Sequence, residues 1–348
     1  MYLGKSIVID GSYGEGGGQI VRTSLALAAM SGQRCRITNV RANRSKPGLR
    51  PQHLTAVRAS SQICSGRVEG AAVGSREFAF IPGKIRAGDY SFHIGTAGSA
   101  TLVLQTLLPP LLGADRESTV VVTGGTHVPW SPPYHYLEQV VLPVLRQFGF
   151  EAHLSLQRWG WYPKGGGQIT AHIHPARRRQ MIPLDEPFEL QQVSGISASS
   201  LLPAHIRERQ ARQAETVLRR QGITANISLL DASAASAGSF LFLCAHGKDL
   251  LAGFSALGKR GKRAEQVADE AVEAMLHFLR SGAAVDVHLA DQILIYLAML
   301  PGSHRMTVAA ISRHLITNAW VVERFLPVRF HIEGDLNRPG TVVKKDLD

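Results

Sequence analysis

A chain of 348 residues with 45% hydrophobic content is long enough to bury a large core, which excludes a disordered or fibrous protein and suggests two domains. Against 27 Asp and Glu stand 38 Lys and Arg, a formal charge of +11 that favours a polyanionic partner such as a nucleic acid or nucleotide phosphate. Cys35, Cys64 and Cys244 fall at no metal-ligand spacing and imply no disulfide framework, as expected of small buried residues in a reducing compartment.

Ile7-Val8-Ile9 reads as a strand and Gln19 to Met30 as a helix ending at Gly32. Between them runs Gly14-Glu15-Gly16-Gly17-Gly18-Gln19, placed where backbone N–H groups converge on an anion. No Lys-Ser or Lys-Thr pair closes the run as in a Walker A loop, and the Rossmann spacing is not met cleanly. Glu15 is the oddity. A carboxylate inside a phosphate cradle repels its ligand unless a divalent cation bridges the two, which points to a metal-nucleotide site. The alternative is a tight turn whose Glu complements a helix N-terminus.

A strand at Cys35 to Val40 and a helix opening near Pro51 and ending before Gly66 follow. From Gly16 to Val68 there is no Asp or Glu, while Arg22, Arg34, Arg36, Arg41, Arg44, Lys46, Arg50, Arg58 and Arg67 are basic. A solvated surface usually mixes signs, so this stretch reads as an anion site.

The strand-helix order recurs at Ser91 to Ile94, Ser99 to Leu112, Thr119 to Thr123 and Pro133 to Phe148. A third copy is read in His288 to Leu300, Met306 to Ala310, Thr317 to Phe325 and Val328 to Ile332. Lys164-Gly165-Gly166-Gly167-Gln168-Ile169 echoes the first glycine run but carries Lys for Glu, and reads as a structural turn. Between Asp185 and Arg280 lie charge-dense helices, Pro203 to Gln221 and Ala264 to Leu279, taken as an inserted domain that splits the third repeat. The expected division is 1–184 and 281–348 for the repeats and 185–280 for the insert.

Loops placed alike on related units converge on one cleft: Arg41 to Arg50, Gly124 to Pro132, and Ile311 to Ile316, which carries His314. His127, in the second loop, is expected to have no direct catalytic role. No basic segment leads into an apolar stretch of signal-peptide type, and Thr101 to Leu112 is too short and polar to cross a bilayer, so a cytoplasmic, membrane-free protein is expected.

Gly14 to Arg22, Arg41 to Leu54, Asp291-Gln292, the segment Arg313-His314-Leu315-Ile316-Thr317-Asn318 just ahead of the helix Ala319 to Phe325, and Val322 to Phe330 together resemble the RNA 3'-terminal phosphate cyclase family. The resemblance spans nearly the whole chain, in order, and is weakest in the insert. It implies an α/β (α+β) fold of three repeated two-helix, four-stranded-sheet units with a smaller thioredoxin-like α/β insert. It also implies an ATP-dependent ligase-type enzyme that converts an RNA 3'-phosphate end to a 2',3'-cyclic phosphodiester through a covalent histidyl-AMP and an RNA-adenylate.

By the same resemblance His314 is the nucleophile, and Arg22, Arg41, Arg44 and Gln52 line the phosphate and RNA-end path. Glu15 holds a divalent metal, Mg or Mn. Gln105 contacts ATP, and His288-Leu289-Ala290-Asp291-Gln292 forms the nucleotide-binding stretch, with His288 where the family often has an adenine-stacking tyrosine and Pro132 as the opposite face. Neutral imidazole suits the role, since its ordinary pKa of about 6.5 leaves a free lone pair near pH 7. A monomer and a homodimer both remain compatible. The competing readings are a non-catalytic cyclase-like RNA-binding factor in ribosome assembly, against which retention of His314 with Glu15 and the arginines argues, and a transferase of enolpyruvyl-transferase architecture, which fold alone supports.

Overall fold

Strand β1 (Ile7–Asp10) lies parallel to β2 (Cys35–Thr38) because the chain between them crosses over as helix α1 (Gly18–Ser31). Helix α1 stops at Gly32, which takes the left-handed conformation at φ 69° that glycine adopts without steric cost. Helix α2 (Pro51–Ile63) opens on a proline, whose missing N–H would be unpaired at that position anyway. Strands β3 (Arg67–Glu69) and β4 (Phe78–Ile81) then complete a sheet of order β1-β2-β4-β3. The computed structural model describes residues 6–176 and 181–347; the outermost residues of the expected 1–184 and 281–348 segments, and 177–180, lie outside them.

A second unit repeats this order with β5 (Asp89–His93), α3 (Ala100–Leu112), β6 (Ser118–Gly124), a second helix, β7 (Ala152–Arg158) and β8 (Gly167–Ile173), in a sheet ordered β5-β6-β8-β7. Its second helix runs as α4 (Tyr134–Tyr136), a π turn (Leu137–Val141) and α5 (Leu142–Gln147). Next come β9 (Gln192–Ser200), α6 (His205–Arg220), β10 (Ala225–Asp231), β11 (Gly238–His246), β12 (Leu251–Leu257) and α7 (Ala264–Ser281), with sheet order β10-β9-β11-β12. A parallel β9-α6-β10 crossover followed by an antiparallel hairpin and a helix is a thioredoxin-like arrangement.

The chain then supplies α8 (Val287–Met299), β13 (His304–Val308), α9 (Arg313–Phe325), β14 (Val328–Glu333) and β15 (Gly340–Asp346). Its sheet, β13-β15-β14, matches the last three positions of the other two. The first strand of the repeat is reduced to two isolated parallel bridges with β13, Leu184 with Met306 and, directly before α8, Val285 with Val308. The fold is α+β, with the repeat legible in all three sheets.

Helices α1, α3 and α8 are apolar nearly all round and therefore fill the interior. Helix α1 packs on α3 and α9, and α8 packs on α9, which gathers the helices of all three units. Strand β11 alternates with a period of two. Phe240, Phe242 and Cys244 belong to the main core, whereas Leu241, Leu243 and Ala245 belong to a second cluster beneath α6 and α7. Both phenylalanines are fully buried, each worth about 1.5–3 kcal/mol relative to exposure. They fasten the inserted sheet to the second unit.

Strands β3, β4, β7, β8 and β15 have no counterpart among the expected elements. Strands β3, β4 and β15 are short or half-exposed, whereas β7 (Ala152, Leu154, Leu156) and β8 (Ile169, Ala171, Ile173) do alternate apolar and polar residues, a period-two signal that the expected elements leave out.

Candidate nucleotide and phosphate site

Five helix N-termini meet at one place, and hydrogen bonds or close approaches join them in turn. Gln19, in the first turn of α1, bonds His314, in the first turn of α9. His53, in the first turn of α2, stands so close to Gly18 that a Cβ there would lie 2.3 Å from its Nε2. Gln52 accepts a bond from the Ser99 N–H at the mouth of α3, 2.8 Å away. Asn318 on α9 donates to the Asp291 carbonyl of α8 at 2.6 Å and accepts from Thr23 Oγ1 of α1 at 2.7 Å. Helix N-termini carry partial positive charge and unpaired N–H groups, so their convergence suits an anion.

The first glycine run forms the floor. Gly14 and Gly16 sit at φ 57° and 60°, which lets the loop double back beneath α1. A Cβ on Gly14 would lie 2.3 Å from Thr317 Oγ1, and the Glu15 N–H donates to that same oxygen at 3.0 Å. The loop is thus tied to α9 one turn from His314.

His314 belongs to the helix rather than to a loop ahead of it, because Ser312 caps α9 by accepting the Leu315 N–H at 2.9 Å. Its Nδ1 lies 2.8 Å from Gln19 Oε1. An amide oxygen only accepts, so Nδ1 carries the proton and Nε2 holds a free lone pair. The His314 side chain is 47% exposed, yet partial desolvation first, then Arg22, Arg44 and His288, bring the imidazole down to about 4. It is neutral at pH 7.

Glu15 pairs through Oε1 with Arg44, and its Oε2 lies 3.7 Å from His314 Nδ1. Oε2 is buried without a hydrogen-bond partner, an arrangement costly for a carboxylate unless a cation completes it. Among the described residues no cluster of three His, Cys, Asp or Glu could hold a metal alone. One carboxylate with ligand phosphates and water is the usual way magnesium is held. The residues therefore fit the metal that the sequence suggests.

The remaining expected residues divide. Arg22 is drawn down to about 10 by burial, with Asp291 opposing and Arg41 reinforcing the shift. Asp291 is raised to about 7 by burial, against the attraction of Arg22. Arg41 donates to the carbonyls of Lys46 and Gly48 at 2.8 and 2.9 Å, so this group braces its own loop. Gln105 Nε2 bonds Gln292 Oε1, and Gln292 Nε2 donates to the His288 carbonyl at 3.0 Å, linking α3 to α8. Pro132 accepts from Thr101 Oγ1 of α3 at 2.7 Å. Leu289 and Ala290 are fully buried, so they lie beneath the opening rather than in it.

Sequence reasoning missed Gln19, His53, Asn318, Tyr136 and Asp286. The Asp286 carboxylate caps α8, accepting from the N–H groups of His288 and Leu289 at 2.9 and 3.0 Å, and the Tyr136 hydroxyl donates to it at 2.8 Å. His53 is held well below its ordinary value by burial, then by Arg22, Arg41, Arg50 and Arg44. Its Nδ1 accepts the Arg50 N–H at 3.3 Å, leaving Nε2–H facing the glycine floor. Only the Asp286-x-x-Leu289 cap pattern could have been read locally. His127 is buried, stacked on Trp159 at 4.1 Å and bonded to His135 Nδ1 at 2.8 Å, which is a structural placement.

A family model described as RNA 3'-terminal phosphate cyclase matches residues 13–332. A protein of Methylococcus capsulatus named RNA 3'-terminal phosphate cyclase is 50% identical over 325 residues, covering 91% of this chain and 90% of its own length. Proteins of that name from Pyrococcus furiosus and Nostoc punctiforme are 46% and 47% identical, covering 97% and 92% of this chain and 98% and 94% of theirs. With the glycine floor, the His314 helix and the repeated sheets already in place, these similarities make the chain a member of the RNA 3'-terminal phosphate cyclase family.

Proposed function

We propose that this protein converts an RNA 3'-phosphate end to a 2',3'-cyclic phosphodiester at the expense of ATP, with His314 as the nucleophile. The observation that carries the reading is the bond from His314 Nδ1–H to Gln19, which leaves a neutral Nε2 lone pair where five helix N-termini meet. Family membership supports cyclase chemistry and ATP use. In this reading 1–184 and 281–348 carry the chemistry and 185–280 is the inserted domain.

His314 Nε2 attacks the α-phosphorus of ATP. A nitrogen–phosphorus bond forms, the bond to the bridging oxygen breaks, and pyrophosphate leaves. Nδ1 keeps its proton, donated in a hydrogen bond to Gln19 Oε1 that aligns the ring throughout. An oxygen of the RNA 3'-phosphate then attacks the same phosphorus and breaks its bond to nitrogen, giving an RNA-adenylate. The terminal 2'-oxygen finally attacks the 3'-phosphate, loses its proton to solvent and releases AMP.

Positive charge must already be in place when charge builds on the phosphate oxygens. Arg22, Arg44, the His53 Nε2–H and the helix N-termini are set for that role, as is the amide nitrogen of Gln52. Glu15 would hold a divalent cation whose charge offsets that of the triphosphate. Asp291 and Gln292, with Gln105, contact the nucleotide, and His288 and Pro132 flank the adenine. The test uses ATP labelled at the α-phosphate, with wild type and His314→Ala compared after denaturing electrophoresis. Acid-labile label on wild type alone is the expected result. Label on neither protein across a range of metals favours the non-catalytic RNA-binding reading, and label on both assigns the nucleophile elsewhere.

A further inference from the structure

Gln52, at the phosphate end of the site, adjoins a crest built from three loops of the second unit. The loop 94–99 meets Gln52 directly, since Ser99 N–H donates to it and a Cβ on Gly98 would lie 2.9 Å from Gln52 Cβ. The loop 158–167 lies against the first, a Cβ on Gly165 falling 2.7 Å from Ala97 Cα. The loop 124–133 is laced to 158–167 by the bridge of His127 to Trp161 and by the Thr126 N–H donating to the Gly160 carbonyl at 3.0 Å.

Two aromatic side chains stand out of this crest into solvent. Tyr162 is 66% exposed, its neighbour Trp161 being turned inward and bonded to Ser200 at 2.7 Å. Trp130 is 96% exposed. It sits at φ 59°, a strained conformation for so bulky a residue, between Pro129 and Pro132 and in a loop closed by Ser131 Oγ donating to the Val128 carbonyl at 3.0 Å. Strain of this kind persists only where the surroundings over-determine it, and it gathers at ligand sites. The three loops contain no Asp or Glu. Their charged residues, Arg158 and Lys164, are exposed and form no ion pair among the described residues, although Arg158 Nε donates to the Gly166 carbonyl of the same loop at 2.5 Å, which orients its guanidinium.

Solvent-facing aromatic rings beside unpaired cations are the elements of single-strand recognition: every base offers a π face to a ring, and every phosphate a charge to a cation. We propose that this crest binds the single-stranded RNA immediately 5' of the reacting end, Tyr162 and Trp130 stacking bases while Lys164 and Arg158 hold phosphates. The inference rests on the cyclase reading, which places the 3'-phosphate beside Gln52.

The experiment measures fluorescence anisotropy of a labelled, 3'-phosphorylated single-stranded RNA of about ten nucleotides, long enough to cover a site of this kind. Tyr162→Ala combined with Lys164→Ala should raise the dissociation constant by roughly tenfold or more and lower the salt dependence of log K by about one. Trp130→Ala should weaken binding in the same sense, and Tyr162→Phe, which keeps the ring, should bind like wild type. An unchanged affinity and salt slope in the double variant, or equal losses in Tyr162→Phe and Tyr162→Ala, would overturn the proposal. Failure of the wild-type protein to cyclise the same RNA with ATP would instead count against the parent reading and leave the binding comparison standing.

Discussion

Gln19 Oε1 accepts a hydrogen bond from His314 Nδ1 at 2.8 Å, across 295 positions of sequence. The contact fixes the tautomer of the ring, and with it which nitrogen is free to react. Gln19→Ala should therefore slow self-adenylylation by about tenfold, the ordinary cost of one lost hydrogen bond to a reacting group. Gln19→Glu should move the acid limb of the pH-rate profile upward, since a carboxylate favours the protonated ring. Single-turnover transfer from α-labelled ATP measures both. A Gln19→Ala rate equal to wild type would remove the tautomer argument.

The imidazole of His314, although half exposed, is brought down to about 4 by partial desolvation and by the positive charges of Arg22 and Arg44 beside it. Protonation removes the lone pair, so self-adenylylation should be flat from neutral pH to well below 6 and fall only as pH approaches 4. A midpoint near 6.5 would show that the ring titrates as if in water.

Glu15 Oε2 is buried without a partner beside the glycine floor. Glu15→Ala should cut labelling by on the order of a hundredfold, since metal stabilisation of phosphate charge is ordinarily worth several kcal/mol. Raised divalent concentration should recover part of the loss. Wild-type labelling in the variant at low metal would end the assignment of Glu15 as a cation ligand.

Asp286 caps α8, receives the Tyr136 hydroxyl, and is approached by the Gly253 N–H of β12 at 3.4 Å, so one carboxylate joins the second unit, the third unit and the insert. Asp286→Ala leaves a buried hydroxyl and two helix N–H groups without their partner and should cost about 2–4 kcal/mol. Tyr136→Phe should cost about 1 kcal/mol. Urea unfolding of both variants tests the ranking, and equal stabilities would contradict it.

His135 is lowered to about 4 by burial, from 6.5 in an unfolded chain, and His127 is lowered as well. Between these values the unfolded chain binds the extra proton, so stability is full above pH 6.5 and declines as pH falls toward 4. The slope is about 1.4 kcal/mol per pH unit for each histidine. Denaturation midpoints measured across that window should fall more steeply for wild type than for His135→Gln.

Much of the architecture is local and therefore readable in the chain. Gly32 and Gly149 punctuate helices, Pro51 opens one, and the repeated strand-helix order marks the three units. The Gly14 to Gly18 run announces a cradle because glycine takes left-handed turns without strain, and at Gly14 and Gly16 a Cβ would also collide with Thr317 and Asn43. The excess of arginine announces an anion for the same elementary reason, that like charges gather only where an opposite one is expected.

The chemical state of the site is not local. Nothing near His314 in sequence lowers its pKa or chooses which nitrogen is free; partial desolvation, then Arg22, Arg44 and Gln19 from another repeat, do. Arg41 looks as available as Arg44, yet the turn of its own loop engages it with the carbonyls of Lys46 and Gly48, while Arg44 reaches Glu15. Sequence by itself determined which residue types were present and which turns and helices could form, because propensities, caps and charges act over a few residues. Tertiary structure alone decided which groups face one another and which are stripped of water, and these set a tautomer, a pKa and a free lone pair.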